Sequence, residues 1–574
     1  MTYLSPGRES HLAGHAGARQ LDAPASPFCD RALCLALALS LLLPVSLEAA
    51  SGIVPDAFAT IQIALDQAHP GDTVLVRGSG GPYFERVVFP RSGSATAGPI
   101  TLEAFPGDRP VLDGTGTPGE NMVTIESRSY IRIAGFEIRN NFGLTDGSGI
   151  RVTGSGTRLE ILDNQIHDMR GENAMGITVY GTSPSASISD LTITGNEIRD
   201  CEPAPSEALT LNGNVERFTV ADNLVQDVNN IGIDFIGGET DINPDPTKVA
   251  RDGICVGNRV IRANSSYGGG FSAGIYVDGA RDIVIERNRI SGCDLGIEVG
   301  AENAGSDASG ITVRNNWIWA NEKACLVFGG YQASVGRTRD SDFLNNTCYR
   351  NDTLATGLGE LWIQLAENNR VYNNIFVATS QKVLLTSDGT SSGNTLNHNL
   401  WHAPGGAATA IFTWEGSWYQ GFGQYQDASG QDAESTFTAP QFLSPDHGDL
   451  HLLSESPGVE AGDPDFTPAE GETDIDGAPR MVGSRVEVGA DELCSPAPDL
   501  RIEARMVDSA ETFETCGVLR AVDGLTILGG GWVSLQAGQM IVLGNGLVVL
   551  DAGILSARVE PWSAAVSATH STPY

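Results

Sequence analysis

Residues 159–200, LEILDNQIHDMRGENAMGITVYGTSPSASISDLTITGNEIRD, contain the pattern that decides the fold of this 574-residue chain. A short β-branched run ends at Asn164, an apolar residue follows two positions later, and a small residue then opens a second run, GITVYG. The same succession returns around Asn196. Alternation by two within each run is typical of strands, whereas a helix would show a period of about 3.6 residues.

This asparagine recurs along the chain at intervals of 25–35 residues. Its positions are Asn164, Asn196, Asn223, Asn258, Asn288, Asn316, Asn346, Asn374 and Asn399. Repeats of this length are typical of solenoids. Short strands joined by loops of variable length predict an all-β protein, a right-handed parallel β-helix. Coils stacked about 4.8 Å apart would let each asparagine side chain bond the next one inside the same turn.

The N-terminal part of the chain predicts export. Residues 1–50 include an apolar run, LCLALALSLLLPVSL (33–47), directly after a short segment with Arg31. Its length is typical of a signal peptide and short for a membrane span. We therefore expect a secreted or cell-surface protein, a monomer with no transmembrane span after signal removal.

Three further segments follow the signal. We expect the β-helix over 51–440, with FATIQIALDQA (58–68) as a short helix that covers the first coil. A Pro/Asp/Gly-rich module at 441–492 and a β-rich module at 493–574 complete the chain.

The seven cysteines beyond the signal have irregular spacing and an odd count, which does not predict a disulfide framework. Most are interpreted as small core residues of the coils. Cys494 and Cys516 flank one C-terminal segment and are the pair that could form a disulfide.

The formal net charge is −36, and the lysines are Lys248, Lys323 and Lys382. Such a charge repels nucleic acid and anionic membranes. It also repels polyanionic sugars unless cations or a local arginine cluster intervene. We expect a polysaccharide partner and no nucleic acid.

The second strand of each coil predicts a polar face. In the pattern G-I-x-V-x the apolar residues point inward and the x residues outward. The outward residues over successive coils are Arg151, Thr153, Thr178, Tyr180, Thr210, Asn212, Asp234, Tyr276, Asp278 and Glu298. Aromatic, amide and carboxylate side chains in neighbouring rows are typical of sugar-binding grooves. We predict that Tyr180, Asn212, Tyr276 and Asp278 bind substrate on an exposed sheet, overhung by long loops at 237–253 and 264–274. A solvated polar face is the alternative.

Two of these carboxylates have a spacing that suits catalysis. Asp234 and Glu298 are predicted two coils apart, roughly 9–10 Å at the backbone. Inverting glycosidases hold their two carboxyl groups roughly 6.5–9.5 Å apart, one as acid and one activating water.

A second acidic row predicts a metal. Asp168, Asp200 and Asp227 each follow the asparagine by four residues on three consecutive coils. Stacked carboxylates repel each other, and a calcium ion with oxygen ligands would relieve the repulsion. The alternative is that each aspartate bonds the amides of its own turn.

The segment 58–114, which begins FATIQIALDQAHPGDTVLVR and ends PVLDG, resembles the opening of bacterial β-helix polysaccharide lyases, nearest to family nine. The resemblance implies β-elimination on a uronate-containing glycan, with a lysine base beside a calcium ion held by aspartates. That aspartate-rich motif is not found in this chain, and Lys248, beside Asp234 in the long loop, is the lysine predicted to act as base. The segment 457–492 resembles the region before anchors in bacterial surface proteins of the choice-of-anchor class.

Three functions follow from these observations. The leading hypothesis is an exported pectate-lyase-like enzyme. An inverting glycoside hydrolase using Asp234 and Glu298 avoids the charge conflict. A non-catalytic glycan-binding or adhesin-like surface protein is the third.

Overall fold

The computed structural model describes residues 51–493 and, with short gaps, residues 499–559. The predicted signal segment and the predicted Cys494–Cys516 pair lie outside the described residues. In the described part of the chain, none of the helices combines the length and apolarity needed to cross a bilayer.

The chain winds into a parallel β-helix with three long sheets, as predicted. Sheet A runs along one side in the strands Ser51–Val54, Thr73–Val76, Ile100–Ala104, Ile131–Ala134, Gly156–Leu162, Ile188–Thr194, Val215–Ala221, Arg251–Val256, Arg281–Glu286, Thr312–Arg314, Asp342–Leu344, Arg370–Tyr372 and Thr395–Asn397, with the short strands Ala308–Ser309, Thr338–Arg339 and Ala366–Glu367 beside them. Each strand pairs in parallel with the strand of the next coil.

Sheets B and C complete each coil. Sheet B consists of Val111–Asp113, Glu137–Leu144, Gln165–Gly171, Glu197–Arg199, Leu224–Val228, Arg259–Ala263, Arg289–Ser291, Trp317–Trp319, Thr347–Tyr349, Ile375–Val377, Leu400–His402 and Thr436–Phe437. Sheet C consists of Val87–Val88, Val123–Glu126, Gly147–Thr153, Ala174–Gly181, Leu209–Gly213, Ile233–Ile236, Ala273–Asp278, Leu295–Gly300, Ala324–Gly329, Leu361–Gln364, Val383–Ser387, Ile411–Trp414 and the antiparallel Ser417–Gln420.

Two short α-helices lie at the ends of the solenoid. The helix Ile61–Gln67 begins at Thr60, whose hydroxyl accepts a hydrogen bond from the Ile63 amide at 3.2 Å. It buries Ile61 and Leu65 against the first strands, as the apolar spacing predicts. The second α-helix is Phe422–Ser429, and 3₁₀ turns occur at Gly78–Gly80, Ala407–Thr409 and Pro445–His447.

In the interior, apolar side chains at equivalent positions of successive coils stack on one another. Ile161, Ile193 and Val220 pair in register on sheet A and are completely buried. Burying each such side chain contributes roughly 1.5–3 kcal/mol, so the repeat is stabilised by many equivalent contacts.

The asparagine column forms the predicted internal ladder. Asn223 Nδ2 donates to Asn258 Oδ1 at 3.0 Å, and Asn258 Nδ2 donates to Asn288 Oδ1 at 3.0 Å. Each Oδ1 also accepts the backbone amide of the preceding asparagine, as Asn258 does from Asn223 at 2.9 Å. The same bonds continue to Asn399, and every member from Asn164 onward is buried. The prediction of an inward-facing amide ladder is confirmed.

One disulfide was not predicted. Cys325 and Cys348 are bonded inside the solenoid, 23 residues apart in sequence, and both are completely buried. Their pairing follows from sheets B and C meeting in one coil, which residue spacing does not reveal. Cys201, Cys255 and Cys293 are free and buried, in agreement with small core residues.

Two smaller units follow. The hairpin Phe442–Ser444 with Asp449–Leu452 begins a segment that packs on sheet B. The last segment has three parallel sheets of three strands each: Asp499–Ile502, Val518–Ala521 and Met540–Leu543; Met506–Val507, Thr526–Ile527 and Val548–Val549; and Ala510–Thr515, Trp532–Ala537 and Ile554–Val559.

Candidate functional site

One row of outward residues on sheet C joins the predicted catalytic pair. Thr210 pairs with Asp234, Asp234 with Tyr276, and Tyr276 with Glu298. Asp234 and Glu298 are therefore two strands apart, roughly 9–10 Å at the backbone, with Tyr276 between them.

The core explains why these polar residues point outward. Asp234 lies between Ile233 and Phe235, which are both completely buried in the interior. Because successive side chains of a strand point to opposite faces, Asp234 must point to the outer face. The same alternation places Tyr276 between Ile275 and Val277.

The expectation of an exposed face is wrong for three of the predicted residues on this sheet. Asp234 is 2% exposed, Asn212 2% and Tyr276 5%. The insertion at 237–253 folds over the sheet, where Glu239 bonds Asn212, and the loop at 301–307 bonds this insertion. Asn303 Nδ2 donates to Gly237 O at 3.4 Å.

Under the loops lies a cluster of carboxyl groups rather than an open groove. Its carboxyl groups, which we call the acidic recess, are Glu207, Asp234, Glu239, Asp278, Glu298 and Glu302. Asp234 and Asp278 are buried at its floor, Glu207, Glu239 and Glu298 are half-buried, and Glu302 is exposed at its rim. Glu302 is therefore the carboxyl of this cluster that is most accessible to solvent.

Sequence reasoning missed three of these carboxyls. Glu239 and Glu302 follow the ends of sheet C strands in FIGGE (235–239) and EVGAE (298–302), and Glu207 precedes the strand Leu209–Gly213. The repeated glycine, small residue and glutamate at the strand exit was the available signal.

Burial and mutual repulsion raise the pKa of five of these carboxyls, those of Glu207, Asp234, Asp278, Glu298 and Glu302. Burial raises the pKa of Glu298 to about 8, and the neighbouring Glu302 carboxylate adds to the shift. Burial and then Glu239 raise the pKa of Glu207 to about 8. Burial, with Glu207 next, raises the pKa of Asp234 well above its ordinary value. Among the described residues, no ion pair involves a carboxyl of the acidic recess, so proton uptake relieves the repulsion.

Hydrogen bonds connect the walls of the recess. The Tyr276 hydroxyl donates to Glu302 Oε1 at 3.3 Å, and the Glu302 amide donates to Asp278 Oδ1 at 2.6 Å. Asn212 Nδ2 donates to Glu239 Oε2 at 2.6 Å. Two buried oxygens, Asn212 Oδ1 and Asp234 Oδ1, accept no hydrogen bond. The recess thus contains both proton donors and unsatisfied oxygen acceptors.

Aromatic side chains lie beside the recess. Trp362 is in the same outward row as Glu298, separated from it by Val327. The Phe271 ring is 6.2 Å from Trp362, and Tyr267 and Phe271 are each 47% exposed. Exposed aromatic rings provide flat apolar surface for the C–H faces of sugars.

A buried aspartate holds the loop that carries these rings. Asp294 Oδ2 accepts the amides of Ser265 and Ser272 at 2.9 and 3.0 Å. The ammonium group of Lys323 lies 3.6 Å from the centre of the Phe271 ring. The aromatic surface is therefore positioned before a ligand arrives.

The other predicted binding residue, Tyr180, is also on sheet C. It pairs in register with Asn212 and is half-buried. The Arg151 guanidinium lies 5.4 Å from the centre of its ring and is held by Asp146. Tyr180 thus extends the polar row away from the recess. Lys248 is half-buried in the 237–253 loop, where its amide donates to Asp245 O at 3.0 Å.

The predicted calcium ligands have arginine partners. Asp168 binds Arg170 at 3.0 Å, and Asp227 binds Arg262 at 2.6 Å. Asp200 similarly binds a neighbouring arginine at 2.9 Å. All three aspartates have left-handed backbone, with φ between 52° and 56°. The arginines therefore relieve the repulsion between carboxylates that calcium was predicted to relieve. The calcium site itself stays a prediction.

Comparisons with known proteins agree with the fold. The model described as "Right handed beta helix region" matches residues 247–338, and that described as "Protein of unknown function (DUF1565)" matches 92–268. Pectate lyase PEL9 of Emericella nidulans is 33% identical over 76 residues, which are 13% of this chain and 18% of that protein. The prediction of a pectate-lyase-like right-handed β-helix is confirmed, whereas the anchor-like C-terminal resemblance stays a prediction.

Two solved structures are also similar. Pectate lyase Pel9A has a TM-score of 0.40 at 16% identity, over 75% of this chain and 90% of that chain. The GH136 lacto-N-biosidase from Eubacterium ramulus has a TM-score of 0.41 at 13% identity, over 57% and 62% of the respective chains.

A longer relationship covers most of the solenoid. The uncharacterized protein YwoF of Bacillus subtilis (strain 168) is 33% identical over 421 residues, which are 70% of this chain and 87% of that protein. Identity at this level over most of both chains means that this chain belongs to the same protein family as YwoF.

Proposed function

We propose that this protein is an exported polysaccharide-active enzyme whose acid–base groups are the carboxyls of the acidic recess. The observation that carries the proposal is the row Asp234–Tyr276–Glu298, in which two carboxyls with raised pKa flank one aromatic residue. Strongly shifted pKa values cluster at functional sites.

Hydrolysis is the reaction that these groups support best. With a pKa of about 8, Glu298 holds a proton at neutral pH and can donate it to the leaving oxygen of a glycosidic bond. Glu239 Oε2 accepts a hydrogen bond from Asn212 Nδ2 at 2.6 Å, which fixes the position of this carboxyl group. A carboxylate can take a proton from the attacking water, so the recess supplies both partners of an inverting hydrolysis. Asp234 at the floor is the second proton donor.

Substrate would enter along sheet C. Trp362 and Phe271 offer apolar faces on one side of the recess, and Tyr180 lies on the other side of Asn212. A glycan lying across the strands of sheet C would contact an aromatic residue on each side of the cleaved bond. Several consecutive sugars would therefore be recognised, which favours a polysaccharide over a disaccharide.

Elimination on a uronate is the second candidate, favoured by a specific observation. The unpartnered oxygens of Asn212 and Asp234, with Glu207 beside them, fit a hard cation such as calcium. A bound cation there would neutralise the carboxylate of a uronate. The local similarity to pectate lyase PEL9 supports this reaction, and Lys248 lies in the loop that also carries Glu239.

Export is part of the proposal. The apolar run at 33–47 predicts a signal peptide, and the Cys325–Cys348 disulfide suits an oxidising compartment.

One assay separates the candidates. Purified protein is incubated with neutral and uronate-containing polysaccharides, with calcium or with chelator. New reducing ends without ultraviolet absorbance support hydrolysis, and absorbance from an unsaturated uronate product supports elimination. Retention on a glycan with neither signal would reject the enzyme and leave the glycan-binding surface protein.

A further inference from the structure

A second recess lies on sheet A, on a different face of the solenoid from the acidic recess. It has a volume of about 620 Å³, within the range typical of ligand sites. Its lining includes Tyr130, Arg158, Asp190, Thr192, Arg217 and Thr219. These residues come from four consecutive coils, which extend over roughly 14 Å at a strand spacing of about 4.8 Å. We call it the arginine groove.

The backbone of the groove contains one repeated left-handed position. Thr157, Ser189 and Glu216 pair in register. The residues that directly follow them, one on each coil, therefore occupy equivalent places. The same place recurs in the later coils of sheet A. From the groove onward the column is Arg158, Asp190, Arg217, Asp252, Asp282, Gly310, Asp340 and Asn368, all with φ between 50° and 64°.

The type of residue at this position differs between the groove and the coils that follow it. Beyond the groove every member of the column is Asp, Gly or Asn, the residues that tolerate left-handed backbone. Within the groove, Arg158 and Arg217 occupy the place, and Tyr130 has φ of 57° in the preceding coil. Large side chains at unfavourable backbone positions are often found where they contact a ligand.

Charge selects the kind of ligand. Arg217 pairs with Asp190 at 3.0 Å, and the Arg132 and Glu160 side chains pair at 3.3 Å. Arg158 is exposed, and no ion pair among the described residues includes it. Arg217 also pairs with Glu216 at 2.6 Å. The lining has two guanidinium and two carboxylate groups, and Arg158 is the guanidinium left without an ion-pair partner among the described residues, on a chain whose formal net charge is −36.

We propose that the arginine groove is a second glycan-binding site that recognises an acidic, uronate-bearing oligosaccharide. The guanidinium of Arg158 would bind a sugar carboxylate through two parallel N–H donors. Tyr130 would stack on a sugar face, and the hydroxyls of Thr192 and Thr219 would bond sugar hydroxyls. The site would hold an anionic polymer on a protein that otherwise repels it. This inference does not require the acidic recess to be catalytic.

The test replaces Arg158 and Arg217 by asparagine, the residue found in the same column at Asn368. In Arg158→Asn/Arg217→Asn the new residues suit left-handed backbone, so folding should be retained and the melting temperature unchanged or higher. Binding of trigalacturonate is measured by calorimetry in a Glu298→Gln background, which prevents turnover. Loss of the charge-assisted contact of Arg158 should weaken binding roughly tenfold or more.

Arg262→Asn is the matched control. Arg262 resembles Arg217 in backbone conformation, with φ of 55° against 50°, and in side-chain exposure, 54% against 52%. Each arginine also has an aspartate partner. We expect this variant to bind like the parent protein, and neutral galactotriose to bind no variant tightly. The proposal is overturned if the parent does not bind trigalacturonate, if the double variant binds equally well, or if the control loses as much affinity. Activity of the acidic recess on its own substrate is scored separately, so each proposal can fail alone.

Discussion

Glu298 lies two strands from Asp234 on sheet C, and the only residue between them in that row is Tyr276. The two carboxyls share one covered recess although they are far apart in sequence. Both carboxyls have a raised pKa, so both are proton donors in the proposed hydrolysis, and Glu239 is the group proposed to take the proton of the attacking water.

Replacing Glu298 by Gln should abolish catalysis without unfolding the protein. The amide keeps the shape of the side chain but cannot donate a carboxyl proton, and general acid catalysis typically contributes roughly 10²–10⁴-fold. The rate of reducing-end release is compared with circular dichroism of the same sample. Glu126→Gln, at an exposed position of the same sheet, is the control and should retain activity. Equal activity of Glu298→Gln would remove Glu298 from the mechanism.

The acidic recess should make the protein less stable as pH rises. Glu207 and Glu298 have an ordinary pKa of 4.5, which folding raises to about 8. Between these values the native state binds more protons than the unfolded chain, so the free energy of unfolding falls as pH increases. Urea unfolding from pH 4.5 to pH 8 measures this slope, which Glu298→Gln should reduce. A slope identical in the two proteins would contradict the protonated recess.

The same carboxyls predict the pH dependence of the reaction. If Glu298 is the proton donor, kcat/KM should fall as pH rises through about 8, where Glu298 loses its proton. An unchanged rate above that pH would show that another group donates the proton.

Removing one amide from the middle of the ladder should destabilise the solenoid. Asn258 accepts the amide of Asn223 and donates to Asn288, so Asn258→Ala leaves buried groups unpaired. Each unsatisfied group costs roughly 1–3 kcal/mol. Asn397→Ala, at a half-buried position where Oδ1 accepts a hydrogen bond from the Glu434 amide at 2.8 Å, should lower the free energy of unfolding much less. Equal losses in denaturant unfolding would argue against a special role for the ladder.

His451 should stabilise the 441–493 segment in its protonated form. It lies between Asp449 and Asp476, 2.5 Å from each, and these partners raise its pKa well above 6.5 despite burial. Because the native state keeps this proton, the stabilisation is complete below pH 6.5 and is lost as pH rises through the folded pKa. His451→Ala at pH 6 should lower the free energy of unfolding by roughly 3 kcal/mol. The exposed His447→Ala is the control, and a deficit that does not shrink at high pH would contradict the ion network.

The sequence determined the solenoid, because its information is local and repeated. Each coil contains its own β-branched run and its own asparagine, and it packs against neighbouring coils that have the same sequence pattern. The alternation within a strand also assigned Asp234, Tyr276 and Glu298 to the outer face, since that assignment needs only a period of two. The short helix over Ile61–Gln67 was predictable for the same reason.

Tertiary structure alone decided how these residues are buried and which others join them. Glu207, Glu239 and Glu302 lie in loops whose length varies from coil to coil, so even the repeated Gly-small-Glu pattern of Glu239 and Glu302 does not show which carboxyls come together. Their pKa shifts depend on burial by those loops and on carboxylates from other coils, neither of which a local pattern contains. The Cys325–Cys348 bond likewise depends on two sheets meeting in one coil. Local periodicity determines which way a side chain points, whereas the contacts it makes depend on segments distant in sequence.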